Sequence, residues 1–220
     1  MLKLSFVSTA LSDRPALIAS ACHIAQAAGD LINRFAELQP AVPYRVKEDL
    51  SAVTHADEAA NELITQALAN LTQEIPIVAE ESVACGDTPA IDGASFWLVD
   101  PLDGTKEFIG GRNEYTVNIA LIEKTVPVIG VIYLPAIKTL YWGGCEIGAF
   151  RQENCEDPCR LQARTIPAIG ASAVVSRSHF TSETEHWLSG ERVATMEVAG
   201  ASVKGGRREE GREEREKRRG

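Results

Sequence analysis

Residues 96–108 read Phe96-Trp97-Leu98-Val99-Asp100-Pro101-Leu102-Asp103-Gly104-Thr105-Lys106-Glu107-Phe108. Phe96 to Val99 is an apolar run of the right length for a buried strand and too short for a helix. It ends in two carboxylates three residues apart, with Pro101 between them fixing φ and removing a donor. Gly104 frees the backbone to turn, and Thr105 is placed to cap a helix beginning at Lys106. Two aspartates and a row of turn amides delivered to one point suit a hard cation and a phosphate. Mg²⁺ in particular prefers a few carboxylate oxygens with water and substrate phosphate over an all-protein cage. The competing reading is an acidic turn in which Asp100 and Asp103 only cap a helix. The bare spacing of the two aspartates does not separate these readings.

Upstream, Pro76-Ile77-Val78-Ala79 is a short strand that delivers Glu80-Glu81-Ser82. Adjacent glutamates at a strand end are unfavourable unless cations or donors compensate them. Val53 to Asp57 opens an amphipathic helix through Leu63, Ile64, Ala67, Leu68 and Leu71, with Thr54 as its N-cap. Acidic residues in a first turn complement the helix dipole, which by itself accounts for Asp57 and Glu58. Earlier still, Ala16 to Leu38 carries Leu17, Ala21, Ile24, Ala28, Leu31, Ile32 and Phe35 at helical spacing, a core stripe. Tyr44 to Lys47 reads as a strand, followed by a charged turn at Glu48-Asp49.

Downstream, Cys85 to Ser95 having been a polar loop, the chain alternates. Tyr115–Ile122, Val126–Tyr133 and Thr139–Trp142 are three successive strand patterns, and Gly143-Gly144 turns into Gly148-Ala149-Phe150. Strands in an unbroken row predict an antiparallel meander rather than a βαβ array. Arg151 to Pro167 is polar and marks a boundary. Beyond it come a strand at Ala173–Ser176, the run Arg177-Ser178-His179, a short helix at Thr181–Leu188 and a strand at Val193–Val198. The predicted organisation is an amino-terminal α+β domain over residues 1–160, a partial α/β domain over 161–204, and a charged tail over 205–220. That tail, GGRREEGREEREKRRG, has no apolar side chain and predicts a solvated segment or an isolated helix.

The 220 residues suffice for a sizeable core, and a hydrophobic content of 45% is ordinary for a globular protein. A net charge of −9 argues against a nucleic-acid-binding surface. Five cysteines (Cys22, Cys85, Cys145, Cys155 and Cys159) lack paired zinc spacing and suit reduced thiols. Leu4 to Ser12 is uncharged but short and rich in Ser and Thr, unlike a secretory signal, and no run is long enough to span a bilayer. The expectation is a cytoplasmic protein, with attachment to the inner face of the cell membrane left open.

Residues 100–108, DPLDGTKEF, resemble the central motif of the Mg²⁺-dependent, lithium-sensitive phosphatases of the inositol monophosphatase superfamily. The ending Lys106-Glu107-Phe108 and the Ser176-Arg177-Ser178-His179 run are similar to the bisphosphate nucleotidase (CysQ-type) branch. The resemblance covers about Ala16 to Lys204. It implies an α+β, layered αβαβα fold of the sugar-phosphatase kind, its second half incomplete here. It implies removal of the 3′-phosphate of adenosine 3′,5′-bisphosphate, giving AMP and phosphate. The alternatives are an inositol or sugar-phosphate monophosphatase, or a truncated family member without activity.

By the same resemblance Glu80, Asp100, the Leu102 carbonyl and Asp103 hold two Mg²⁺ ions, with a looser third near Asp57. Asp57, Glu80 and Thr105 orient the attacking water. Gly104, Thr105 and Lys106, beside Glu80, Leu102 and Asp103, meet the phosphate. Ser202 and Lys204, in a loop similar to the family's Gly-Ser-Ser-Leu-Lys, face the nucleotide, with Arg177 and His179 as further candidates. Lys47-Glu48-Asp49 resembles a loop that approaches the site, and His55 reads as a surface residue. The tail departs from the family, which continues with more strands and helices and a Trp-Asp segment bearing another metal-binding aspartate. A frameshift, a misjoined reading frame or a truncated gene would produce such an ending.

Overall fold

The long helix predicted over Ala16–Leu38 starts two residues earlier in the computed structural model, as α1 (Arg14–Glu37). Asp13 caps it by accepting from the Ala16 amide at 3.1 Å, and Pro15 is accommodated in the first turn, where no intrahelical donor is lost. The structure describes residues 13–38, 44–46, 52–91, 93, 95–154, 156–177 and 180–202, with only the backbone for 44–46, 52 and 53. The expectations for Leu4–Ser12, Lys47–Asp49, Cys155, Ser178, His179, Lys204 and the charged tail fall outside these residues. The chain divides into two compact units, Met1–Leu161 and Gln162–Gly220.

In the first unit, β1 (Tyr44–Val46) pairs antiparallel with β2 (Ala52–Thr54). Helix α2 (His55–Leu71) follows at once, so Val53 belongs to the strand and not to the helix, while Thr54 is the predicted N-cap. Then come β3 (Ile77–Ala79), the short α3 (Glu80–Ala84), β4 (Ser95–Asp103) and the short α4 (Thr105–Ile109). The meander is β5 (Thr116–Glu123), β6 (Val126–Leu134), β7 (Thr139–Gly144), β8 (Gly148–Glu153) and β9 (Cys159–Leu161). Strand β9 lies within the stretch read from sequence as a polar boundary; its Cys159 pairs with Arg151 of β8.

These strands form one sheet in the order β3-β4-β5-β6-β7-β8-β9. All neighbours are antiparallel except β3 and β4, which run parallel because α3 and its following loop carry the chain back to the same end. Helices α1 and α2 pack on each other and on this sheet. Ala21, Ala25, Ala28 and Ile32 of α1 and Ala56, Ala60, Ile64 and Leu68 of α2 are fully buried with Trp97, Val117, Ile119, Leu121 and Val131. Gly29 permits the closest approach: a Cβ there would lie 2.5 Å from the Tyr133 ring. Trp97 donates from Nε1 to Thr72 Oγ1 at 2.8 Å, so its one polar atom is satisfied inside the core. The run Phe96–Val99 is buried on one face only, since Leu98 is 45% exposed. The period of two separates the faces.

The second unit contains β10 (Ala171–Ser176), α5 (Ser182–Ser189) and β11 (Val193–Ala199), with β10 parallel to β11. Thr181 caps α5 by accepting from the Thr184 amide. A parallel pair joined through a helix is a βαβ connection, formed by the strand, helix and strand read from the sequence.

Candidate active site

Asp100 and Asp103 are separated by an odd number of residues, which in a regular strand puts their side chains on opposite faces. The pairing of β4 with β5 reverses this. Asp100 stands opposite Asn118 and Asp103 opposite Thr116, so three steps on β4 match two on β5. The extra residue is a β-bulge around Pro101-Leu102, where a proline without an N–H is tolerated. Asn118 and Thr116 share a face, and the bulge therefore brings both aspartates to that same face. Asn118 Nδ2 lies 3.5 Å from Asp103 Oδ2.

Gly104, at φ 95°, then turns the chain into α4 in the left-handed region that suits glycine. Thr105 is the first residue of α4 and not its cap; Gly104 occupies the cap position, and no side chain caps this helix. The Thr105 hydroxyl is thereby available elsewhere. It stands 3.0 Å from Asp57 Oδ1 and 3.2 Å from the Leu102 carbonyl oxygen, as donor to either. Asp57 is 1% exposed and closes a capping box: its Oδ2 accepts from the Thr54 amide at 2.8 Å and from the Thr54 hydroxyl. It is thus both a helix cap and a partner of Thr105. Burial raises its carboxyl above the ordinary aspartate range, against the opposing pull of the bonds from Thr54 and Thr105.

The same face is electrostatically crowded. Asp100 is pushed up to about 8, first by burial and then by the negative charges of Glu80, Asp103 and Glu81, against a backbone bond from Leu102. Its Oδ1 is buried with no hydrogen-bond partner. Glu80 is exposed and Glu81 buried, so the second glutamate points into the protein and not to solvent. An unpartnered buried carboxylate oxygen pressed by three like charges is the environment that a hard cation neutralises. Among the described residues, no group of three or more His, Cys, Asp or Glu side chains is placed to hold a metal ion by itself. The donor set fits Mg²⁺, which takes one or two carboxylates and completes its shell with water and phosphate oxygens.

Helix α4 is anchored from behind. Phe108, 1% exposed, meets Tyr115 edge to face with ring centroids 5.2 Å apart. Tyr115 donates to Asn33 Oδ1 at 2.9 Å, and Asn33 Nδ2 donates to the Pro135 carbonyl at 3.0 Å. Lys106 is exposed. His55 is a surface residue whose Nδ1 lies 3.2 Å from Glu58 Oε2. Ser202 and Arg177 belong to the second unit, where the Arg177 amide donates to the Ala199 carbonyl at 3.1 Å.

Sequence reading did not single out Asn118, Thr116 or Asn61. The first two enter through strand register. Asn61, on α2, donates to Ser82 Oγ on α3 at 3.1 Å. The one legible signal was polar residues at strand or helix positions next to the acidic segments.

The sequence pattern of the inositol monophosphatase family matches residues 13–204. The 3′(2′),5′-bisphosphate nucleotidase CysQ of Salmonella typhimurium is 39% identical over 194 residues, covering 86% of this chain and 74% of that protein. Its counterpart from Escherichia coli strain K12 is 37% identical over 189 residues, covering 83% and 72%. The crystal structure of CysQ from Bacteroides thetaiotaomicron superposes with a TM-score of 0.65 at 30% identity, over 87% of this chain and 75% of that one. That structure is described as a bacterial member of the inositol monophosphatase family, and with the motif, the fold and the pattern match in agreement, this chain belongs to the inositol monophosphatase family.

Proposed function

We propose that this chain is a Mg²⁺-dependent phosphoric monoester hydrolase that removes the 3′-phosphate of adenosine 3′,5′-bisphosphate. The observation that carries the reading is the bulge that turns Asp100 and Asp103 to one face beside Glu80, leaving Asp100 Oδ1 buried without a partner. The names of the CysQ relatives support the choice of a bisphosphate nucleotide.

Glu80, Asp100, Asp103 and the Leu102 carbonyl are the groups assigned to Mg²⁺, two ions with a third near Asp57. A divalent cation so held supplies the charge that acidifies water and shields phosphoryl oxygens. The protein's own part is to aim that water. A threonine hydroxyl has one proton, and Asp57 Oδ1 stands 3.0 Å away to take it in a hydrogen bond. Whether that proton goes to Asp57 or to the Leu102 carbonyl, the lone pairs of Thr105 Oγ1 are left to accept from water. The raised proton affinity of buried Asp57 suits it to receive, through Thr105, the proton that water gives up as its oxygen bonds to phosphorus; the ester P–O bond breaks and the departing 3′-oxygen takes its proton from solvent. The uncapped start of α4 at Gly104 and Thr105 offers backbone N–H groups to the phosphate, and exposed Lys106 adds charge. Ser202 and Lys204 are assigned to the nucleotide by resemblance. The unpaired Cys22, Cys85, Cys145 and Cys159 fit a reducing compartment, and we place the protein in the cytoplasm. Among the described residues no helix is long and apolar enough to cross a membrane.

The test is phosphate release by the purified chain with Mg²⁺, using adenosine 3′,5′-bisphosphate and inositol 1-phosphate in parallel. Preferential hydrolysis of the nucleotide is expected. Preference for inositol phosphate would replace the substrate assignment, and release from neither would overturn the hydrolase reading for this chain.

A further inference from the structure

Helix α2 presents two polar side chains one turn apart, Asp57 and Asn61, and each bonds to a different acidic segment. Asp57 Oδ1 accepts from Thr105 on α4 at 3.0 Å. Asn61 Nδ2 donates to Ser82 Oγ on α3 at 3.1 Å. Positions four apart lie on the same side of a helix, so one rigid edge of α2 touches both segments. Resting on the hydrolase reading above, we infer that Asn61 is a positioning residue: through Ser82 it sets the place of Glu80 and Glu81 relative to Asp57 and Thr105.

Three observations carry this. First, α3 is only five residues long and no side chain caps its start, so little within the helix itself fixes its orientation. A bond from the neighbouring helix supplies what the local sequence lacks. Second, Ser82 follows Glu80 and Glu81 directly within α3, so a shift of Ser82 carries both glutamates with it. Third, Asn61 Oδ1 is buried without a hydrogen-bond partner. A leucine, of similar size, would fill that space without leaving a polar atom unpaired, so packing alone does not account for an amide there. The directional bond to Ser82 does.

Groups that orient metal-binding side chains change ion affinity or activity by about 10- to 100-fold when removed. Asn61 acts one bond further out, so the low end applies. The experiment measures Mn²⁺ binding by calorimetry, the Mg²⁺ concentration for half-maximal phosphate release, and the melting temperature in EDTA, for Asn61→Ala, Ser82→Ala, the double variant and Ser82→Thr. Each single alanine variant is expected to weaken ion binding about tenfold and to raise the half-saturating Mg²⁺ concentration in step. The double variant should be no weaker than the weaker single, because both remove one shared bond. Ser82→Thr, which keeps the hydroxyl, should restore binding close to the parent. Unchanged ion binding in Asn61→Ala, or losses that add in the double variant, would overturn the assignment. If Asn61→Ala does not fold, Ser82→Ala alone decides, by the same tenfold criterion. A parent chain that binds Mn²⁺ and releases phosphate while both single variants match it leaves the hydrolase reading standing and removes only this one. A parent chain that binds no divalent ion overturns both.

Discussion

The hydroxyl of Thr105 lies 3.0 Å from Oδ1 of Asp57, across 48 residues of sequence. The contact ties the first turn of α2 to the first turn of α4. The threonine hydroxyl donates to this oxygen or to the Leu102 carbonyl 3.2 Å away, and its lone pairs remain to accept.

Replacing Thr105 with valine keeps the shape and removes the hydroxyl. Turnover should fall by about 10² or more, the range for a positioned acid–base group. Stability should fall by only about 1–3 kcal/mol, the cost of leaving one oxygen of buried Asp57 without its donor. Thr105→Ser should recover most of the rate. Steady-state kinetics and thermal melts on the three proteins check this; a valine variant with near-parental turnover would remove the hydroxyl from the chemistry, and equal losses in the valine and serine variants would show that the methyl group matters as much as the hydroxyl.

Asp103→Asn removes one of the negative charges that crowd Asp100. In EDTA the variant should melt at the parent temperature or slightly above it, a gain of up to about 1 kcal/mol from relieved repulsion. With Mg²⁺ the parent should gain stability and the variant should not, and turnover should drop at least about 100-fold. Melting curves with and without Mg²⁺ report all of this. A variant with near-parental phosphatase rate removes Asp103 from the ion site.

Burial pushes the Cys22 thiol up from 9.0 to about 12. A folded-state value above the unfolded one means that the folded protein holds the proton more tightly. The associated stability is complete below about pH 9 and is lost as pH rises towards 12. At pH 8, iodoacetamide should modify exposed Cys85, Cys145 and Cys159 and spare Cys22 until the protein is unfolded. Peptide mass mapping gives the answer, and rapid labelling of Cys22 in the native protein contradicts its place in the core.

Phe108 closes the back of α4 against Tyr115. Phe108→Ala should cost about 3–5 kcal/mol, in the usual range for an aromatic removed from a core. At roughly 2–4 °C per kcal/mol for a chain of this size, the melting temperature should fall by about 6–20 °C. Tyr115→Phe removes only the bond to Asn33 and should cost about 1 kcal/mol. If the two variants are equally mild, α4 is not held from this side.

The resemblance to a phosphatase family was legible in nine consecutive residues, Asp100 to Phe108, and the comparisons agree with it. The helices and the meander were legible because their apolar periods are local: α1 and α2 recur near every third or fourth residue, and β5 to β7 alternate. Thr54 was readable as a cap for the same reason, since its partners lie within one turn. Helix ends were less so. The start of α4 at Thr105 depends on Gly104 adopting a positive φ, which the residue permits but does not dictate.

What sequence alone determined was a set of elements and the composition of the acidic segments. Whether Asp100 and Asp103 share a face depended on one residue of register between β4 and β5, and strand periodicity by itself predicts the opposite. The bonds from Thr105 to Asp57 and from Asn61 to Ser82 likewise exist only once α2 is laid against its neighbours. Long-range contacts of this kind follow from how buried faces pack, and packing is a property of the whole chain that no local window contains.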